Sequence, residues 1–292
     1  SYNPKLGLVY IPVHQIGAFF RRADPGEGAT DDSFNVLGLV TGQVVEKPDD
    51  GHGFLVAWDP VAQKEAWRVK PDTLWNGGTL TTAGGVVFQG TADGWFSAYD
   101  GKSGKRLWRF DTGLGIIAAP MSYRIGDTQY VSILVGYGGT AAAYGRHMDE
   151  GWKYGAQPRR LLTFALGADG TLPKGPGPDF KIAALDDPDL VLSEADILAG
   201  RELSVRCAAC HGVGFHSTGT PGPDLRESAI ALNLPAFSQL LKDGTLLSRG
   251  MPRFQMLSDD EIRQLHAYIR ARAREALGTR KESDAPPPMP KL

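Results

Sequence analysis

"AYDGKSGKRLW", residues 98–108, repeats at a distance of 41 residues the pattern of "AWDPVAQKEAW", residues 57–67. The two align without a gap. Ala57, Asp59 and Trp67 match Ala98, Asp100 and Trp108, and Gly104 stands where the first copy has Gln63. Short apolar stretches at Leu8–Val13, Val86–Gln89 and Val131–Val135 are separated by Gly-rich turns, and no amphipathic helix pattern appears before residue 166. A strand–turn–strand unit with Trp at a fixed phase predicts the blades of a β-propeller. At ~40–45 residues per blade, residues 1–166 supply three or four. The Trp side chains also fill core on this reading. The Gly/Asp/Pro-rich piece from Arg21 to Gly53 is expected to be a long loop or an insertion.

Composition leaves room for a second domain. The chain has 292 residues, 42% of them hydrophobic, and a formal net charge of −2. That balance, with no Lys/Arg-rich run, argues against nucleic-acid binding. No apolar run reaches the ~18–20 residues of a membrane span.

Both cysteines lie in "CAACH", residues 207–211. Such a pair serves a redox disulfide, half of a zinc site, or the anchor of a covalent haem. A thioredoxin-type disulfide needs a βαβ setting and a helix N-terminus to lower the thiol pKa; here a helix-like stretch, Ser193 to Val205, precedes the cysteines. A structural zinc site needs four ligands, which His211 and a distant group would have to complete. The haem reading uses every residue: Cys207 and Cys210 form thioethers, and His211 becomes the proximal ligand. The sixth ligand of such a site is usually Met. Met251, 40 residues after His211 and followed by Pro252, is the candidate, with Met256 its competitor and a core gap-filler the plain alternative. His216 and His266 are expected to be merely solvated or hydrogen-bonded.

Helices fit a small domain around this motif. Ser193 with Asp196, and Ser258 with Glu261, read as capping boxes. A short helix is expected over Ala236–Asp243. In "DDEIRQLHAYIRARAREAL", Ile262, Leu265, Ile269 and Ala273 share one helical face, and Gly278 is placed to end the helix.

"GTPGPDL", residues 219–225, resembles the Gly-Pro-(Asp/Asn)-Leu loop of class I cytochromes c. That resemblance implies that the Pro223 carbonyl accepts a hydrogen bond from the proximal imidazole, fixing the ring. The 11-residue repeat resembles the tryptophan-docking motif of quinoprotein alcohol dehydrogenases, eight-bladed propellers carrying pyrroloquinoline quinone (PQQ). "WNGGTLTTAGGVVFQGTADGWFSAYD" (75–100) and "QYVSILVGYGG" (129–139) resemble that family's last blades. The whole resembles the type II quinohaemoprotein alcohol dehydrogenases. The implied fold is multidomain, with propeller blades over 1–166, a linker over 167–191, an all-α class I cytochrome c domain over 192–280 and a disordered or polyproline-like tail over 281–292.

The resemblance implies haem c, PQQ and Ca²⁺ as cofactors, with the catalytic Asp and the Ca²⁺ ligands outside this chain. Trp75 stands where the family places a quinone-contacting Trp, with Asn76 beside it. Thr140 ends the "VGYGGT" loop where relatives carry a Trp. In "PVHQIG", His14 or Gln15 replaces an Asn donor, Gln15 being slightly preferred. The implied activity is oxidation of an alcohol to an aldehyde or ketone, electrons passing to the haem and then to an external acceptor protein. Haem c attachment implies a periplasmic location. The missing blades are expected on an N-terminal portion, separate or nicked before Ser1. The competing function is an electron-transfer cytochrome on a non-catalytic propeller, which would not need Trp75-Asn76-Gly77-Gly78.

Overall fold

A computed structural model describes residues 1–24, 33–36, 39–44, 50–138, 159–173, 182–217 and 219–279. They fall into two compact units. One takes the described residues of Ser1–Gly17, Val45–Ala141 and Met148–Asp179; the other takes those of Ala18–Val44 and Phe180–Leu292. Thr140, residues 174–181 of the expected linker, and the expected tail lie outside the described residues.

Strands β1 (Tyr2–Asn3) and β2 (Leu8–Gln15) open the first unit. Next come β3 (Gly17–Arg22), β4 (Ser33–Val36) and β5 (Leu39–Val44), which form their own sheet in the order β3-β5-β4. This piece is an insertion rather than a loop. The strand that follows it, β6 (His52–Asp59), pairs directly with β2 from Val9↔Trp58 to Gln15↔His52, as if the insertion were absent. With β7 (Lys64–Val69), the first blade has the order β1-β2-β6-β7. A second four-stranded blade follows from β8 (Asn76–Thr81), β9 (Val86–Thr91), β10 (Trp95–Asp100) and β11 (Arg106–Asp111). The third sheet has three strands among the described residues: β12 (Met121–Ile125), β13 (Thr128–Val135) and β14 (Arg160–Ala165).

The sequence repeat is a repeat of backbone geometry. Ala57 faces Trp67 and Ala98 faces Trp108, and the register shifts by a bulge just after each Ala. Each acid closes its turn: Asp59 Oδ1 accepts from the amides of Val61 and Ala62, and Asp100 Oδ1 from Ser103. Gln63 and Gly104 both take positive φ, +51° and +73°. Their different identities have a packing reason. The indole of Trp67 lies on the turn of the next blade, donating Nε1–H to the Gly101 carbonyl at 3.0 Å. A Cβ on Gly104 would come within 2.7 Å of that ring. The Tyr10 hydroxyl donates to the same carbonyl, and Leu8, Tyr10, Leu55, Ala57, Val87 and Tyr99 fill the space between the two blades. Apolar surface on two stacked sheets is thereby removed from water together, the main stabilising term.

The second unit contains α1 (Glu194–Leu203), α2 (Val205–His211), α3 (Leu234–Asp243) and α4 (Asp259–Thr279). Ser204 between α1 and α2 keeps right-handed helical angles, so the cysteines lie inside a nearly continuous helix. The box at Ser258 forms in both directions: its amide donates to Glu261 and its Oγ accepts from the Glu261 amide. The box at Ser193 does not form: the Ser193 side chain makes no capping bond. Asp196 is too short to reach back as Glu does, and its carboxylate is held instead by Arg263 of α4 at 2.5 Å. Asn233 caps α3, accepting from the Ala236 amide at 2.9 Å, and left-handed Gly244 ends it.

Ile262, Leu265, Ile269 and Ala273 are all buried, and the first three join Phe215, Phe237, Leu241 and Tyr268 in one core. Each large aliphatic among them contributes about 1.5–3 kcal/mol. Helices α1 and α4 cross at Gly200, where an added Cβ would sit 1.9 Å from the Gln264 carbonyl oxygen. Residues 182–190 are stapled to α4. Arg270, fully buried, donates to the carbonyls of Leu185 and Leu225, while Arg274 holds the Asp186 carboxylate and the carbonyls of Asp187 and Leu190.

Candidate functional site

In a helix, residues i, i+3 and i+4 share a face. Helix α2 therefore presents Cys207, Cys210 and His211 together. Both cysteines are free thiols; Cys207 is half-buried and Cys210 exposed. Burial, with a smaller push from Cys210 and against a pull from Arg206, raises the Cys207 thiol to about 11. The helix N-terminus that lowers thiol pKa in redox motifs is missing, because α1 leads straight into α2 and the Cys207 amide is spent on the Ser204 carbonyl. Among the described residues, no group of three or more His, Cys, Asp or Glu is placed to hold a metal ion, so a four-ligand zinc site is not formed there.

His211 is only 7% exposed and is fixed from behind. Its Nδ1 lies 2.8 Å from the Pro223 carbonyl. A carbonyl only accepts, so Nδ1 carries the proton and Nε2 keeps its lone pair. Burial holds the imidazole below its ordinary pKa, against the opposing pull of the Pro223 carbonyl and of Asp224. The ring is thus neutral near pH 7, the state that ligates a metal. The loop seats flat on it: a Cβ on Gly222 would lie 2.7 Å from ring atom Cε1, and the Gly222 amide donates to the Cys210 carbonyl at 2.7 Å. The Ser217 hydroxyl donates to the Gly222 carbonyl at 2.8 Å, closing the loop.

Met251 follows left-handed Gly250 and packs against the same core that Cys207 touches. Met256 is 72% exposed. Neutral His211 with a free Nε2, two thiols on its helical face and a core-facing thioether make a donor set that fits covalent haem with His/Met ligation. His216 accepts hydrogen bonds at Nε2 from Arg226 and Arg272, and His266 is buried on α4 against Phe237.

In the first unit, Trp75 and Asn76 stand at the entry to β8. The Trp75 indole Nε1 is buried and has no acceptor among the described residues, and its ring meets His14 edge-on, 4.9 Å between centroids. Of the two candidate donors on β2, it is His14 whose ring lies against Trp75. The Gln15 amide points to Asp50 at 3.4 Å. The Asn76 side chain bridges the two blades, donating to the Val13 carbonyl of β2 and accepting from Gln89 of its own blade. Gly77 and Gly78 admit close backbone approach, since a Cβ on either would lie 2.5–2.6 Å from Ala118 or Ala119. The orphaned indole N–H fits a ligand lodged beside Trp75. Thr140 lies outside the described residues.

Sequence reasoning missed the buried charges behind His211. The Asp224 carboxylate accepts from the Arg226 guanidinium at 2.6 and 2.9 Å, and both side chains are at most 8% exposed. The only signal was an acid and a base two residues apart in a Gly/Pro-rich loop.

Comparison with known proteins follows the same division. Residues 49–131 match the family model "Glucose/ethanol/alcohol dehydrogenase, beta-propeller domain", and residues 197–269 match "Cytochrome C oxidase, cbb3-type, subunit III". A quinohemoprotein alcohol dehydrogenase, ADH IIB, of Pseudomonas putida is 38% identical over 94% of this chain and 39% of its own length. The lupanine 17-hydroxylase [cytochrome c] of a Pseudomonas species is 38% identical over 96% of this chain and 39% of its own. The crystal structure of the quinohemoprotein alcohol dehydrogenase from Comamonas testosteroni matches at TM-score 0.66 and 34% identity, over 94% of this chain and 40% of that one. The chain thus spans about two fifths of the length of these relatives. In sequence and fold the chain is thus similar to a part of the quinohemoprotein alcohol dehydrogenases, its blades matching the propeller model and its helices the cytochrome one.

Proposed function

We propose that this chain is the blade-and-cytochrome part of a periplasmic, PQQ-dependent dehydrogenase that oxidises alcohols to aldehydes or ketones. The observation that carries the reading is His211, its Nδ1 2.8 Å from the Pro223 carbonyl, on one helical face with Cys207 and Cys210. PQQ supplies two-electron alcohol oxidation and haem c supplies one-electron transfer to an external acceptor protein. The chain's own residues hold and orient these groups. Cys207 and Cys210 anchor the haem, and His211 and Met251 ligate its iron. Pro223 fixes the imidazole. Trp75 borders the quinone with its indole N–H, with Asn76 holding the strand beneath it. His14, whose ring lies against Trp75, borders the same pocket on this reading. The catalytic base and the Ca²⁺ ligands belong to the further blades. Those blades, on a companion segment or chain, close the ring with the three sheets described above. The expected division of this chain is 1–166, 167–191, 192–280 and 281–292, as the resemblance implies.

Two measurements test it. Denaturing native material, weighing its polypeptides and extracting the quinone should return the additional blade mass together with PQQ. A folded, monomeric 31 kDa particle free of quinone would sink the dehydrogenase reading and leave the electron-transfer one. In the holoprotein, Met251→Ala should abolish the weak long-wavelength Met-to-iron band of the oxidised spectrum and lower the potential, since the thioether raises it. Loss of that band in Met256→Ala but not in Met251→Ala would transfer the role to Met256.

A further inference from the structure

The hydrogen bonds behind His211 continue past Pro223. Asp224, the next residue, is only 5% exposed, and its carboxylate takes four donors. The amide of Ser217 lies 3.3 Å from Oδ2 and the amide of Arg226 lies 3.0 Å from Oδ1. Arg226 Nε and Nη2 lie 2.9 and 2.6 Å from the two oxygens. The fork is bidentate, so it fixes the carboxylate plane as well as its distance. The remaining arm of Arg226, Nη1, donates to His216 Nε2 at 2.8 Å. Arg272 of α4 donates to that same nitrogen at 3.0 Å, and Arg272 is itself paired with Glu275. A continuous line of contacts therefore runs from the last helix through His216, Arg226 and Asp224 to the peptide that holds the His211 ring. On the other side of the loop, the Arg226 carbonyl accepts from the Leu185 amide at 2.9 Å.

We propose that Arg226 is the positioning residue of the proximal ligand: by clamping Asp224 and His216 together it sets the angle of the His211 ring, and with it the reduction potential of the haem. The inference rests on the haem reading above and adds to it a residue that touches neither iron nor imidazole. A ring held only by one carbonyl on a Gly/Pro loop would swing with the loop. Here the loop is tied to α4 through His216, which Arg272 of that helix reaches. Lysine cannot reproduce this, because a single ammonium lacks the planar fork.

The test uses holoprotein with its covalent haem. In Arg226→Gln the haem-methyl proton pattern of the ferric protein, which reads axial ligand orientation, should change. The Asp224 charge left without its partner should shift the haem equilibrium about tenfold toward the oxidised form, about 59 mV for one electron. Arg226→Lys should recover most of the potential but not the methyl pattern, separating positioning from charge. An unchanged pattern and potential in Arg226→Gln would overturn the proposal. Should Arg226→Gln fail to fold, Asp224→Asn takes its place, because it keeps an acceptor for the Arg226 amide. The same change of pattern is then expected, with the potential moving upward, and an unchanged pattern overturns the proposal equally. Wild-type protein without covalent haem would instead sink the haem reading on which this stands.

Discussion

With serine at both 207 and 210, all of the haem is expected to extract into acid–acetone, whereas the wild type retains it. The reason is bond type. A thioether survives acid and organic solvent; ligation by His211 and Met251 alone does not. On the haem reading both thiols act on one ring, since residues 207, 210 and 211 share a face of α2. Each single serine variant should keep haem through the remaining bond. Pyridine haemochrome spectra of pellet and supernatant give the answer. Haem retained by the double variant would place the attachment elsewhere. Haem released from the wild type would mean that the motif makes no covalent bond.

The second large effect is expected at the helix crossing. Gly200→Ala places a methyl group 1.9 Å from the Gln264 carbonyl oxygen and 2.9 Å from the Tyr268 Cβ. The first obstacle is backbone, which no rotamer change removes, so α1 and α4 must separate. Separation loosens the packing of Ile197 and Leu203 on the core formed by Ile262, Leu265 and Ile269. The cost should reach the upper end of the ~1–3 kcal/mol typical of overpacking. For a domain of this size each kcal/mol lowers the melting temperature by about 4–8 °C. Gly278→Ala is the control of opposite sign: the position is helical, exposed and open, with nothing within 4 Å of the added Cβ. Gly278 lies inside the helix rather than ending it, next to its last residue, so the change should stabilise by at most the ~0.5–1 kcal/mol that Ala gains over Gly in a helix interior. Thermal unfolding of the full chain, followed by circular dichroism, compares the two. Equal melting temperatures would refute the close crossing.

What was legible in the sequence was local or periodic. Ala57, Asp59 and Trp67 recur as Ala98, Asp100 and Trp108 because each set builds the same local geometry, with a bulged pair, a closed turn and an indole at fixed phase. The amphipathic face of α4 and its Ser258 cap could be read because their spacing is fixed by the helix. The Ser193 box could not be judged that way. Its outcome depended on Arg263, 67 residues from the Asp196 it captures. The same holds for the clamp on the proximal loop, whose members lie between positions 216 and 272. His216 looked like an incidental loop histidine, and only the folded chain brings two guanidinium groups to it. Around Trp75 the sequence named the neighbourhood, but it could not say that His14 rather than Gln15 would turn toward the ring.

The staple on α4 has a consequence for anyone who would cut the cytochrome free. A fragment starting at residue 192 would strip Arg270, 0% exposed, of the Leu185 carbonyl and Arg274 of the Asp186 carboxylate. A fragment starting before Ala183 would carry the whole staple with it, including the amide of Leu185 that braces the Arg226 carbonyl. Protease trimming is governed by the same contacts. Bonds within 183–190 should resist cleavage for as long as the haem domain stays folded, so that the excisable piece begins earlier than its helices do.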